Sequence, residues 1–82
     1  MRYPFPPEEF EQLPDDMRVV AREFCSTNQA RGFYPKSKTH LKRRIEAGEP
    51  GFIRGRTFGN GTAATWSVGE VKVMVEALST EL

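Results

Sequence analysis

The sequence predicts a small α+β domain, mostly helical, and three observations predict it. The C-terminal segment carries an apolar helical stripe. A short basic segment near its middle is bracketed by a capping serine and a glycine. Between the two lie short extended segments around a Gly-Asn-Gly tip.

In chain order, residues 1–14 read as an extended N-terminal arm and residues 15–82 as the folded domain. Pro4, Pro6 and Pro7 forbid a regular helix at the start, although Pro7 suits the first position of a helical turn over 8–13. Pro14 punctuates. Asp15 or Asp16 can cap a first full helix, because a carboxylate accepts from the free amides of a first turn. Met17, Val20, Ala21 and Phe24 follow at i, i+3, i+4 and i+7, and that helix should fade at 26–28. Residues 28–36 form a connection broken by Gly32 and Pro35. Its adjacent aromatics, Phe33 and Tyr34, read as plugs of the core or its rim, with stacking on bases as the other reading.

The second helix should run over 37–47. Ser37 is a good N-cap, Gly48 supplies a left-handed C-terminal position, and Pro50 prevents continuation. Only Leu41 and Ile45 are strongly apolar, so the helix has a narrow buried seam. At roughly 100° per residue, Thr39 and Arg43 point away from that seam, flanked by His40, Lys42 and Arg44.

After Pro50 the pattern becomes extended. Residues 52–54 and 64–66 bracket Gly59-Asn60-Gly61, whose Asn-Gly pair takes up positive φ readily, so 52–66 reads as a β-hairpin with Arg54 and Arg56 on one face. The last helix opens on Ser67-Val68-Gly69-Glu70, a capping box, and continues with Val71, Val75 and Leu78 in stripe and Met74 beside them. Trp66 should anchor it to the core.

Composition narrows the function classes. One cysteine, Cys25, excludes an internal disulfide, and with a single histidine, His40, the chain cannot supply four Cys/His ligands to a structural zinc. Cys25 reads as a small buried apolar residue. No segment approaches the ~20 apolar residues of a membrane span, and the start of the chain lacks the apolar run of a secretion signal, so a cytoplasmic, nucleoid-associated protein is the expectation. No phosphate-cradling loop followed by Lys-Ser/Thr and no metal cluster is visible; an enzyme, a cofactor and a small-molecule substrate are not expected.

Net charge is only +1, but it is unevenly spread. Residues 1–30 hold Arg2, Arg18 and Arg22 against six acids. Residues 31–56 hold eight cations (Arg31, Lys36, Lys38, Lys42, Arg43, Arg44, Arg54 and Arg56) against Glu46 and Glu49. Residues 57–82 hold Lys72 against three acids. A basic block between acidic flanks fits either a polyanion-facing surface or a solvated charged face.

The order helix, turn, basic helix, hairpin, C-terminal helix is that of a small winged helix-turn-helix. Residues 34–78 resemble the excisionase and AlpA-like regulators of prophages, a winged-helix group related to MerR proteins. The residues that carry this are Ser37-Lys38-Thr39-His40-Leu41-Lys42-Arg43-Arg44-Ile45-Glu46-Ala47-Gly48-Glu49, similar to the family's recognition-helix pattern. Trp66-Ser67-Val68-Gly69-Glu70-Val71 is similar to its signature after the wing. The link over 25–36 is longer than the family's tight turn, Lys42 stands where an aromatic is usual, the wing is longer and richer in glycine, and residues 1–14 have no counterpart.

The expected function is sequence-specific binding of double-stranded DNA by residues 36–60, as a phage or prophage excisionase-like or transcriptional regulator. Arg43 would read guanine bidentately in the major groove, with Thr39 and His40 adding weaker contacts. Ser37 and the free amides of the first turn would hold a phosphate. Lys36, Lys38, Lys42 and Arg44 would neutralise others, while Arg54, Arg56 and Asn60 would reach an adjacent groove. A domain of this size covers one half-site, so a homodimer or cooperative neighbours are expected on DNA, with the N-terminal arm as the candidate contact. The alternatives are an adaptor or inhibitor working through the acidic flanks and the Phe/Pro-rich N-terminus, and the DNA-binding part of a small-terminase-like packaging protein.

Overall fold

Two three-residue strands, far apart in sequence, tie the halves of the chain together. The computed structural model describes residues 4–57 and 63–79. In it α1 (Pro7–Phe10) precedes β1 (Arg18–Val20), α2 (Ala21–Phe24), α3 (Lys38–Glu46), β2 (Thr65–Ser67) and α4 (Val68–Ser79). The strands β1 and β2 pair antiparallel, with Val19 opposite Trp66. The architecture is α+β and mostly helical, consistent with a small winged helix.

The first full helix expected from residue 15 does not form; a strand and one helical turn replace it. The backbone before residue 21 has other partners. The carbonyls of Asp15 and Met17 accept from the Gly69 and Val68 amides at 3.0 and 2.9 Å, which satisfies the first N–H groups of α4. Arg18, Val19 and Val20 then pair with β2, as the β-branched Val19 and Val20 favour. Helical geometry starts only at Ala21, where the Glu23 carboxylate accepts from the Val20 amide at 2.8 Å. The apparent helical stripe was a strand residue run followed by a single turn, and its buried valine is Val19 rather than Val20.

Nor do residues 4–14 form a separate arm. Phe5 and Phe10 are buried, the Phe5 amide donates to the Glu23 carbonyl, and Phe10 lies edge-on to both Phe5 and Phe24. The reason is size. A short chain needs every large side chain it has to close its core, and two phenylalanines among these residues outweigh the prolines' preference for an extended surface path. The helical turn that Pro7 allowed is α1.

The core is aromatic around α2 and aliphatic under α4. Phe24 meets Trp66 edge-on at 5.4 Å, and Phe33 stacks on Phe10 at 4.4 Å. Tyr34 is fully buried, and its amide donates to the Phe24 carbonyl at 2.9 Å. Both loop aromatics therefore plug the core or its rim. Cys25 is buried beside them, and desolvation pushes its thiol from 9.0 up to about 12, the nearby Lys38 ammonium pulling weakly the other way. From α4 come Val68, Val71, Met74 and Leu78. No helix among the described residues is long and apolar enough to cross a membrane.

Among the described residues the expected hairpin is reduced to one bridge. The Arg56 amide donates to the Thr65 carbonyl at 3.0 Å and the Thr65 amide returns the bond at 2.8 Å, but residues 52–55 make no ladder. The long ladder of β2 is with β1. What holds the incoming segment is the indole of Trp66, which donates to the Ile53 carbonyl at 2.6 Å. Gly55 makes that approach possible, since a β-carbon there would sit 2.8 Å from the indole ring.

Candidate nucleic-acid interface

The basic helix forms within a residue of its expected limits. The Ser37 hydroxyl accepts from the His40 amide at 3.2 Å, Ala47 closes the other end, and Gly48 follows at a φ of 70°. Leu41 is its one fully buried residue and Ile45 packs partly against the core. With that seam inward, Lys36, Ser37, Lys38, Thr39, Lys42 and Arg43 are all exposed. No ion pair engages Arg43 among the described residues.

The two flanks of α3 differ. On one, side chains are held. His40 Nδ1 sits 2.8 Å from the buried Tyr34 hydroxyl, within hydrogen-bond distance, and with a neutral imidazole bearing its proton on Nε2 it accepts the phenolic proton. Arg44 pairs with Glu49 at 2.5 Å and lies over the Phe52 ring at 5.9 Å. Both residues were expected to contact DNA; in the structure these contacts secure α3 to the loops on either side of it. The wheel placed them beside the outward face, but it could not show that Tyr34 and Phe52 would reach them.

On the other flank runs a groove of about 670 Å³ between α3 and the segment leading into the wing. Leu41, Ile45, Ala64 and Trp66 contribute to its floor, and Lys38, Lys42 and Arg54 stand along it with Glu46. The wing arginine is thus on the same side as two cations of α3. Arg56 is exposed but does not line the groove. The shared face expected of Arg54 and Arg56 required a regular strand, which the segment does not form. Asn60, with the whole Gly59-Asn60-Gly61 tip, lies outside the described residues. Sequence reasoning missed Arg22, which reaches the groove from α2, and passed over Glu46, whose position seven residues after Thr39 and three after Arg43 was readable on the wheel.

Chemically, the arrangement offers an exposed line of cations and hydroxyls with a second cation across a groove. Among the described residues no group of three or more His, Cys, Asp and Glu is placed to hold a metal. No protein-family model, curated protein or solved structure matches the chain.

Proposed function

We propose that this protein binds double-stranded DNA sequence-specifically and without enzymatic activity, laying α3 in the major groove as a phage or prophage regulator of the excisionase-like kind. One observation carries the reading. Arg43 and Thr39 face solvent from a helix whose seam is buried, and Arg54 stands on the same side as Lys38 and Lys42. A two-point grip on adjacent grooves needs that co-location. Arg43 reads a guanine through O6 and N7, while Ser37 and the free first-turn amides seat a phosphate. Lys36, Lys38, Lys42, Arg54 and Arg56 neutralise further phosphates. Useful affinity then comes from two copies or from cooperative neighbours, and the site of action is the nucleoid.

The rival reading, an adaptor working through its N-terminus, loses its most obvious surface because Phe5 and Phe10 are in the core. Binding to random duplex at low salt, followed by a salt titration, separates the two. With about five phosphates neutralised, log K should fall against log salt with a slope of roughly −4 to −5. Arg43→Ala should weaken binding by about 1–3 kcal/mol, concentrated at one base position. A protein that retards no duplex at micromolar concentration would falsify the proposal.

A further inference from the structure

Glu46 is hard to account for as a structural residue. It sits in the last turn of α3, where the helix dipole disfavours negative charge. Its ion-pair partner Lys42 lies four residues toward the N-terminus, the weaker orientation of such a pair. Their charged atoms are 4.0 Å apart, and the two side chains remain 77% and 58% exposed. A contact so open and so long contributes little. The carboxylate also shares a groove with Lys38, Lys42 and Arg54, so it repels the phosphates those cations would attract. Helix stability and phosphate binding both disfavour an acid here.

One contact favours it. Thr39, Arg43 and Glu46 follow at i, i+4 and i+7 down one line of α3, opposite the Leu41 and Ile45 seam. Given the DNA-binding reading, on which this inference rests, we propose that Glu46 is a specificity residue that accepts a hydrogen bond from a cytosine N4 amino group. Cytosine offers that donor at its major-groove edge with no acceptor beside it, whereas adenine pairs its N6 donor with the N7 acceptor, which repels a carboxylate's second oxygen. Glu46 is about 4.5 Å along the helix axis from Arg43, close to the ~3.4 Å step between base pairs. The guanine read by Arg43 and the cytosine read by Glu46 therefore belong to neighbouring base pairs. Where phosphates come near, the same charge is a penalty, so the residue lowers affinity for unrelated sequence while raising it for the site.

Selection of duplex sites from a random pool, with the wild type, Glu46→Ala and Glu46→Gln, tests this. The exposed position leaves all three folded, which circular dichroism checks. The wild type should enrich cytosine at one position. Glu46→Gln should move that preference to adenine, whose N6 and N7 a carboxamide bonds together. Glu46→Ala should lose roughly tenfold of discrimination there and bind random duplex several-fold more tightly. Identical selected sites for all three proteins would overturn the role of Glu46 while leaving DNA binding intact. A wild type that selects nothing would overturn the DNA-binding reading itself, and this inference with it.

Discussion

Helices α3 and α4 are similar in length and opposite in construction. Of the twelve residues of α4, Val68, Val71, Met74 and Leu78 are buried, and the charges it carries are Glu70, Lys72 and Glu76. Its start is held by a reciprocal capping box and by hydrogen bonds from the Val68 and Gly69 amides to the carbonyls of Met17 and Asp15; Lys72 meets Asp15 at 2.9 Å and Arg18 lies 3.5 Å from Glu70. The nine residues of α3 bury only Leu41 fully and carry Lys38, Lys42, Arg43 and Arg44 against Glu46. Anchorage for α3 comes from outside it, through Tyr34 on His40 and Glu49 with Phe52 on Arg44. One helix is part of the core; the other is presented by it. The charges concentrate on the presented helix because burying them would cost far more than exposing them.

The largest effect should come from the core helix. Met74→Ala removes a fully buried side chain and should cost about 2–5 kcal/mol in chemical denaturation, while the folded fraction keeps its affinity for duplex. A loss below about 1 kcal/mol would mean that α4 is not the scaffold that the contrast makes it. Next is Arg43→Ala, the mirror case: its ~1–3 kcal/mol appears in binding, and stability should change by no more than about 0.5 kcal/mol, as for surface substitutions generally.

The same contrast explains what was legible in the sequence. Both long helices were, since each has its own cap: Ser37 and Gly48 for one, Ser67 and Glu70 for the other. Local chemistry announced them. The segment from Asp15 to Phe24 was misread because its fate depends on residues fifty positions away: β1 exists to pair with β2 and to receive the first amides of α4. Periodicity within a window contains no such partner. The site was legible to the same degree. Which side of α3 faces out follows from Leu41 and Ile45, so the exposure of Thr39, Lys42 and Arg43 was predictable. That His40 and Arg44 are engaged follows from where Tyr34 and Phe52 fold back, and no helical wheel contains that information.

Smaller effects should come from the two caps, and they sharpen the comparison most directly because the chemical change is the same in each. Ser67→Ala removes the hydroxyl that accepts from the Glu70 amide at 3.1 Å. The carboxylate can still accept from the residue 67 amide, as it does at 2.9 Å, so about 1 kcal/mol of stability should be lost and DNA affinity should stay the same.

Ser37→Ala has no reciprocal bond behind it. The hydroxyl accepts from His40 at 3.2 Å, so the stability loss should lie within the ~0.5–2 kcal/mol range for caps. Yet this cap stands at the end of α3 that is proposed to seat a phosphate, and fraying there should reduce duplex affinity by several-fold and flatten the salt slope by up to one phosphate's worth, ~0.9. Equilibrium unfolding and salt-dependent binding, measured on both serine variants, give the comparison its finest resolution. If Ser67→Ala weakened binding as much as Ser37→Ala does, the effect would be one of stability alone, and the division between a core helix and a presented helix would fail where the two are chemically most alike.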